Sequence, residues 1–444
     1  MKKELFLSLS LLLSGCASLA PDAPIPYSDI PTRWGGCCTK TNLPSFHWNE
    51  VFPYSCVQKD IALAKETNKD LKTAALTALR AHQLIDAVDN LFSSYLSLEH
   101  SCQGELNPFC VSNNKTYGLL GVNLNVDLWG KVESATNAAT FNAEAFDLTL
   151  ENLQNMMAGD VIKSHLAIAY ANQYQQMLNE MELILMEIEN KVKNRIESGL
   201  PNDSDYSRIL LKKAQILRLR QQIERQKSIA VESLRLLTSY HGVMCKECAQ
   251  SLNELTPAFF TIPKTTSSSI IFNRPDIMAL DKKMRANNAL IGVAKANRLP
   301  QLNLPLEFAF PFSGAATWEI FPSISQVLFD GGRLKAIEDA ATTTRDISLV
   351  EYERGVQLAF RDIANGISNA STLEKELEIS EKAYKISDIA FKRSKLRNEA
   401  GYESLSDLID RYDDLYSARI QILQVQFDRA KNTVDLFSAV GTKL

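Results

Sequence analysis

The stretch FDGGR (residues 329–333) opens a proline-free run that continues to the end of the 444-residue chain. Pro322 is the last proline before it, and a long helix needs such a run because proline lacks the N–H that helices bond. Gly401 interrupts the run, and a second helical pattern extends from about Leu405 to Val440. The sequence therefore predicts two long helices joined by a turn. Apolar residues at steps of three and four form the packing stripe of the first helix: Val356, Phe360, Ile363, Ile367, Ala370, Leu373 and Leu377.

The same plan occurs earlier in the chain, where DLWGK (residues 127–131) opens another proline-free run to Ser198. A break follows at Gly199, and a helical pattern returns from Asp205 to Tyr240. Three landmarks recur at one offset of 202 residues (332 − 130, 401 − 199 and 407 − 205), which indicates an internal duplication. The paired landmarks are Gly130 with Gly332, Gly199 with Gly401, and Asp205 with Asp407.

The amino-terminal segment has the pattern of a bacterial export signal. A basic start is followed by an apolar core at residues 5–13 and by the sequence LSGC, which ends at Cys16. This ending resembles the lipobox, in which the cysteine becomes the lipidated first residue of the mature chain. An ordinary signal peptide with an incidental cysteine is the alternative. Residues 17 and 18 are alanine and serine, and the resemblance then implies sorting to the outer membrane.

Eight cysteines suit an oxidising compartment, whereas a net charge of −4 gives no reason to propose nucleic acid as a partner. Seven remain besides Cys16, and an odd number leaves at least one free or paired with another chain. Cys102 and Cys110 flank a loop between two predicted strands and are a predicted disulfide. For the pair Cys245-x-x-Cys248, a small structural disulfide or free thiols are favoured over a redox or zinc site.

Two stretches alternate between apolar and polar residues, as strands do: Thr116 to Leu128 and Leu302 to Phe312. Partner strands are predicted at Tyr95 to Cys102 and at Thr317 to Phe329. Such a sheet faces either a core and water, or lipid and a wet lumen. The lipobox favours the membrane, and so does the lack of any later apolar run of about 18 residues that could form a spanning helix.

Four strands cannot close a membrane barrel alone. The smallest membrane barrels have about eight strands, and lipid does not tolerate open sheet edges. The barrel interpretation therefore requires that the chain share its barrel with copies of itself.

Several short motifs, taken in their order and spacing, resemble the TolC-like outer-membrane efflux family, nearer its lipoprotein branch. The resemblance extends from about Cys56 to Gly441. It implies an α+β membrane protein, a homotrimer in which each chain gives four strands to a twelve-stranded barrel in outer-membrane lipid. The long antiparallel helical hairpins would form a periplasmic tunnel. The motifs are RPDI (274–277), LP (299–300), LFDGGR (328–333), Gly401 and Leu405, and DLID (407–410).

The resemblance also implies a function. Family members receive substrates from an inner-membrane transporter through a periplasmic adaptor, so we expect the outer-membrane channel of a tripartite efflux system that exports small molecules. One alternative is the outer-membrane channel of a type I protein secretion system. Another is a periplasmic coiled-coil scaffold lipoprotein that does not span the membrane.

Asp407 and Asp410 match the positions where the family places acidic rings at the constriction of the tunnel. They lie three residues apart on a predicted helix and so share a face. The resemblance implies that they line the pore at the periplasmic tip. The alternative is a solvated surface pair near a helix start, where the helix dipole favours acidic residues.

One departure from the family concerns the closing latch. Some relatives have an arginine two residues after the tip glycine, which pairs with an aspartate of the other hairpin. Here that position is Glu403, while Asp205 matches the aspartate, and two acids cannot form that pair. Arg208, Arg397 and Arg411 are the nearby candidates to replace it.

The chain divides into predicted segments. Residues 1–15 are a signal peptide, and 16–56 are an extended, lipidated amino-terminal segment. The first efflux repeat covers 57–255, a linker covers 256–272, and the second repeat covers 273–444.

An enzyme is not expected. The five histidines are dispersed without ligand spacing, and neither a phosphate-binding glycine loop nor a nucleophile elbow is present. The sequence therefore predicts no cofactor and no metal site.

Overall fold

The computed structural model describes most of the chain. Several predicted features lie outside the described residues: the signal peptide with Cys16, Cys110, the Cys245–Cys248 pair and most of the 256–272 linker. Cys102 is described through its backbone only. The described residues are 19–24, 48, 52–88, 92–102, 114–198, 203–239, 252, 268–311, 316–320 and 322–441.

Short helices and strands precede each pair of long helices. In chain order the elements are α1 (Ser55–Thr67), α2 (Lys69–Val88), β1 (Phe92–Cys102), β2 (Asn114–Val126), α3 (Lys131–Glu197), α4 (Asp203–Thr238), a 3-10 turn (Ser268–Asn273), α5 (Pro275–Ala296), β3 (Gln301–Pro311), β4 (Thr317–Ile320), β5 (Ser323–Ser325), α6 (Arg333–Glu399) and α7 (Leu405–Val440).

The long helices repeat at the predicted offset. Helices α3 and α6 both have 67 residues, α4 and α7 both have 36, and every helix start and end recurs 202 residues later (333 − 131, 399 − 197, 405 − 203 and 440 − 238). At roughly 1.5 Å per residue, each longer helix is about 100 Å long. The predicted duplication into long helical hairpins is confirmed. Among the described residues, none of the helices has an apolar segment long enough to span a bilayer.

The same turn starts both long helices. The Asp127 carboxylate accepts hydrogen bonds from the backbone N–H groups of residues 131, 132 and 133, at 2.6, 2.9 and 3.1 Å. Asp330 does the same for residues 332 and 334, at 2.9 and 2.7 Å. Gly130 and Gly332 have φ of 64° and 90°, a left-handed conformation that glycine adopts without steric cost. This aspartate–glycine turn explains why DLWGK and FDGGR mark the starts of the two longest helices.

The sheet is antiparallel with strand order β1-β2-β3-β4, and β5 pairs with the other end of β3. The prediction that the last strand runs unbroken to Phe329 was wrong, because it is present as two segments and ends at Ser325. Pro322 lies between these segments, and proline cannot donate a ladder hydrogen bond.

The strand register separates an apolar from a polar face. On the apolar face, Phe308 lies opposite Leu120 and Trp318. On the other face, Glu307 lies opposite Gly121 and Glu319. The Tyr95 hydroxyl donates to Glu307 Oε1 at 2.8 Å, and a Cβ on residue 121 would lie 2.2 Å from the Tyr95 ring. Glycine at 121 therefore leaves room for the tyrosine to cross β2.

The described structure forms two compact units, and each contains parts of both repeats. The first comprises Met1–Ser28, Ala74–Thr149 and Asp276–Gly355, and includes the sheet. The second comprises Asp29–Thr73, Leu150–Pro275 and Val356–Leu444, and includes the ends of α3 and α6 and the starts of α4 and α7. The predicted segment boundaries divide the chain into successive repeats, which differ from these compact units. Those boundaries stay a prediction.

Candidate functional site at the hairpin ends

The candidate site lies where the long helices of the second unit end. Gly401 follows α6 with φ of 79°, and the Tyr402 N–H returns to the Arg397 carbonyl at 2.9 Å. This is the glycine-terminated helix end that the sequence indicated. Ser404 then caps α7, because its hydroxyl accepts the Asp407 N–H at 3.0 Å.

Asp407 and Asp410 are both exposed on the first turns of α7. The Ser404 hydroxyl also donates to Asp407 Oδ2 at 2.5 Å, so that the serine and the aspartate bond reciprocally. Asp407 is therefore part of the helix start, while Asp410 is directed to the other hairpin.

Arg208 connects the two hairpins. Its Nη2 lies 2.5 Å from Asp410 Oδ1, and its Nη1 donates to the Ser406 hydroxyl. Residues 208 and 410 are 202 apart, so the pair joins equivalent positions of the duplication. The two side chains are 40% and 55% exposed. An exposed pair of this kind contributes about 0.2–1 kcal/mol.

The other residues of the expected latch have local partners. Glu403 accepts a hydrogen bond from the Ser394 hydroxyl at 2.8 Å and lies 3.5 Å from Arg397 Nε, all within the second hairpin. Arg411 pairs with Asp414 at 3.0 Å on its own helix. Asp205, the aspartate that matches the family, is buried near the start of α4. Of the three arginines considered, the structure places Arg208 between the hairpins.

Further ion pairs join the hairpins close to the same end. Lys212 on α4 contacts Asp413 on α7 at 2.7 Å. The pairs between α3 and α6 are Glu187 with Lys395 at 2.9 Å and Lys191 with Glu399 at 3.2 Å. With Arg208–Asp410 they make four ion pairs between the hairpins in this region of the described chain, here called the tip ion pairs. Sequence alone does not reveal the pairs other than Arg208–Asp410, because their partners lie about two hundred residues apart in sequence.

Glu189 is a buried carboxylate on α3, in sequence between Glu187 and Lys191 of the tip ion pairs. Lys213 of α4 donates to it, and Lys193 lies 3.1 Å away on the same helix. The hydrogen bond from Lys213 is the largest cause of the lowered pKa of Glu189, and burial opposes it. The first hairpin therefore packs around a buried carboxylate whose two lysine partners are partly exposed.

Comparison with known proteins connects this architecture to efflux channels. Residues 266–442 match the family described as outer membrane efflux protein. The chain is 24% identical to outer membrane protein OprJ of Pseudomonas aeruginosa, over 99% of this chain and 96% of that one. It is also 24% identical to the probable outer membrane lipoprotein SilC of Salmonella typhimurium, over 99% and 98% of the two chains.

Solved structures show the same fold. A structure of CusC superposes with a TM-score of 0.87 at 22% identity, covering 96% of this chain and 100% of that one. The Campylobacter jejuni CmeC outer membrane channel gives 0.82 at 20% identity, covering 96% and 95%.

These findings confirm the resemblance drawn from the sequence. The fold is that of TolC-like outer membrane channels, and residues 266–442 match the outer membrane efflux protein family. The predicted location in the outer membrane is confirmed by these relatives.

Proposed function

We propose that the protein is the outer-membrane channel of a tripartite efflux system, acting as a homotrimer and not as an enzyme. An inner-membrane transporter delivers small molecules to it through a periplasmic adaptor. Two relatives support a small-molecule cargo by their names, the toluene efflux pump outer membrane protein TtgI of Pseudomonas putida, 25% identical, and the cation efflux system protein CusC of Escherichia coli O157:H7, 24% identical.

The two-faced sheet is the observation that carries this proposal. Large apolar side chains on one face are exposed, which water disfavours and lipid accommodates. The opposite face carries Glu307, Glu319 and Asn303, as the wall of a wet lumen does. The exposed apolar residues are Leu96, Leu120, Phe310, Trp318 and Ile320.

The sheet edges support a trimer. The outer edges of β1 and β4 pair with no strand among the described residues. Unpaired backbone groups in hydrocarbon cost several kcal/mol each, so a spanning sheet needs neighbours on both edges. Three chains, each giving the β4/β5 strand to the next chain's β1, would close a twelve-stranded barrel.

The tip ion pairs support a channel that closes at its periplasmic end. In a trimer, Asp407 and Asp410 would supply six carboxylates around the opening. The pairing of Asp410 with Arg208 offsets part of their repulsion and holds the two hairpins together. Engagement of the adaptor would then open the tip by separating the hairpins.

The test compares the two faces of β3. Leu306→Lys places a charge on the lipid face and should cost about 2–4 kcal/mol if it lies near the midplane. Asn303→Lys on the lumen face is the matched control and should be tolerated. Heat-modifiable trimers and bilayer conductance should be reduced for the first variant only. Equal tolerance of both, or quantitative release of the wild type by carbonate, would favour the scaffold lipoprotein instead.

Lipidation at Cys16 is a separate part of the proposal. Cys16→Ala should leave an unacylated form, while some barrel assembly persists because the lipid is an accessory to insertion. Mass spectrometry of the mature amino terminus checks this. A wild-type protein that begins elsewhere without an acyl chain would refute it.

A further inference from the structure

A small cavity lies between α3, α6 and α7, within the second compact unit. Its volume is about 270 Å³, whereas typical ligand sites have roughly 300–1,000 Å³, so it suits a ligand smaller than a drug molecule. Gln176 in its wall is exposed, and the cavity therefore opens to solvent. Its polar lining consists of three glutamine amides, one ion pair and the Tyr384 hydroxyl.

The charges of this cavity cancel. Arg419 Nη2 lies 2.6 Å from Glu180 Oε2, and this ion pair joins α7 to α3 in the cavity wall. The other lining residues are neutral. A charged ligand would lose its hydration here without meeting an unpaired charge of opposite sign, so the cavity favours a neutral ligand.

Three polar groups of the lining have unused hydrogen-bonding capacity. Within the described part of the chain, the Gln176 and Gln426 amides and the Tyr384 hydroxyl make no hydrogen bond. Each of these groups has both a donor and an acceptor. Gln173 differs, because its Oε1 accepts the Leu252 N–H at 3.2 Å. A ligand with several hydroxyl groups can bond to such a lining, whereas a hydrocarbon would leave its polar groups unpaired.

An apolar surface lies beside these polar groups. Met177 and Leu423 are each 4% exposed, and together with Ile422 they form the apolar part of the lining. A sugar ring matches both parts, because its C–H groups pack on apolar side chains while its hydroxyl groups bond to amides. A few polar groups placed on an apolar lining are also the usual composition of a small-molecule site.

The internal duplication provides a comparison for the three glutamines. At the equivalent positions of the other copy, 202 residues away, all three residues are charged. One of them, Glu378, pairs with Lys382 at 2.5 Å on an exposed helix surface. Helix packing alone therefore does not require amides at these positions. The equivalent residues are Lys375 for Gln173, Glu378 for Gln176 and Glu224 for Gln426.

We propose that this cavity binds one neutral sugar ring, either a free monosaccharide or a unit at the end of a glycan chain. The Gln176 and Gln426 amides and the Tyr384 hydroxyl bond to hydroxyl groups of the ring. The apolar surface that includes Met177 and Leu423 packs against its C–H groups. Binding here requires neither transport nor a partner protein, so it is tested separately from the efflux function.

The experiment uses the full-length protein in a detergent without a sugar headgroup, because an alkyl glycoside would compete for the cavity. Saturation-transfer NMR measures binding, with D-glucose as the first probe and a short N-acetylglucosamine oligomer as the second. D-Glucuronate, which carries a carboxylate on the same ring, should bind more weakly than glucose. Tighter binding of the oligomer than of glucose would identify a glycan chain as the source of the ligand. Equal or weaker binding of the oligomer would identify a free sugar.

Variants assign binding to the cavity. Gln176→Leu and Gln426→Leu keep a side chain of similar size and should each lower the affinity for glucose by at least about fivefold. Gln421→Leu is the matched control, because Gln421 is an exposed glutamine of α7 that does not line the cavity. Unchanged thermal unfolding midpoints check that the variants fold.

Three outcomes would overturn the proposal. The first is that the wild type shows saturation transfer to neither probe. The second is wild-type affinity in both Gln176→Leu and Gln426→Leu, or an equal loss in Gln421→Leu. The third is glucuronate binding as tight as that of glucose.

Discussion

The two hairpins have helices of equal length but different interiors near the tip. In the first hairpin, position 189 is a buried glutamate held by Lys193 and Lys213. The equivalent position of the second hairpin is Phe391, whose ring meets Tyr412 edge to face at 6.4 Å. The duplicated backbone therefore tolerates an ionic interior in one copy and an aromatic interior in the other.

The surfaces of the two copies have diverged in a complementary way. The first turns of α4 carry Arg208 and Lys212, whereas the first turns of α7 carry Asp410 and Asp413. These residues form two of the tip ion pairs. Positions 208 and 410 are equivalent in the duplication and carry opposite charges, so the two copies attract each other there.

Phe391→Ala should give the largest difference between the hairpins. Deleting a buried ring leaves a cavity, which costs about 3–5 kcal/mol. Hydrogen exchange should quicken at the end of α6 and the start of α7, and the thermal unfolding midpoint should fall. Ile389→Ala is the control, since Ile389 is 50% exposed two residues away. Similar effects of both substitutions would contradict an aromatic interior here.

Glu189→Gln should have the second-largest effect, in the first hairpin. The loss of charge-assisted bonds to two lysines should cost about 1–3 kcal/mol at neutral pH. The folded pKa of Glu189 lies below its ordinary value of 4.5, so its stabilisation is present above that pH and is lost as pH falls through the folded value. The difference in unfolding midpoint between wild type and variant should therefore shrink below about pH 4.5. A constant difference down to pH 3 would show that Glu189 acts through packing alone.

Much of this architecture could be predicted from the sequence. The absence of proline and the recurrence at 202 residues predicted the long helices, because backbone geometry depends on local residue type. The alternating residues from Leu302 predicted β3 for the same reason. The interrupted fourth strand followed from Pro322, whose effect on pairing was not taken into account.

The contacts of the tip could not be predicted in the same way. Arg208 was one of three arginines near the turn, and sequence alone does not show which side chain reaches the other hairpin. The Glu187–Lys395 and Lys191–Glu399 pairs depend on how α3 and α6 are staggered. Their separation of 208 residues, in place of 202, reflects a shift between neighbouring helices that no local pattern encodes.

Charge exchange between Arg208 and Asp410 tests the attachment of the hairpins. Arg208→Asp and Asp410→Arg each place like charges together and should favour the open tip, by up to about fivefold per chain for an exposed pair. The combined exchange should restore the wild-type open probability in bilayer recordings. Arg411→Asp is the control, because its partner Asp414 lies on the same helix. Failure of the double variant to recover would show that the pair does not hold the tip closed.

Asp407→Asn combined with Asp410→Asn should change the free energy of unfolding least, but it has the most specific readout. Asparagine keeps an oxygen for the Ser404 hydroxyl, so the start of α7 should remain intact. A ring of carboxylates concentrates cations and repels anions, so its removal should lower cation selectivity in bilayer conductance. Block by multivalent cations added from the periplasmic side should also weaken, because hard cations prefer charged oxygen ligands. Asp362→Asn on α6 is the control for a lost exposed carboxylate away from the tip. If the double variant keeps wild-type selectivity and block, the two aspartates do not line the pore and are a solvated surface pair. The acidic residues of α7 then serve to bind the basic residues of α4.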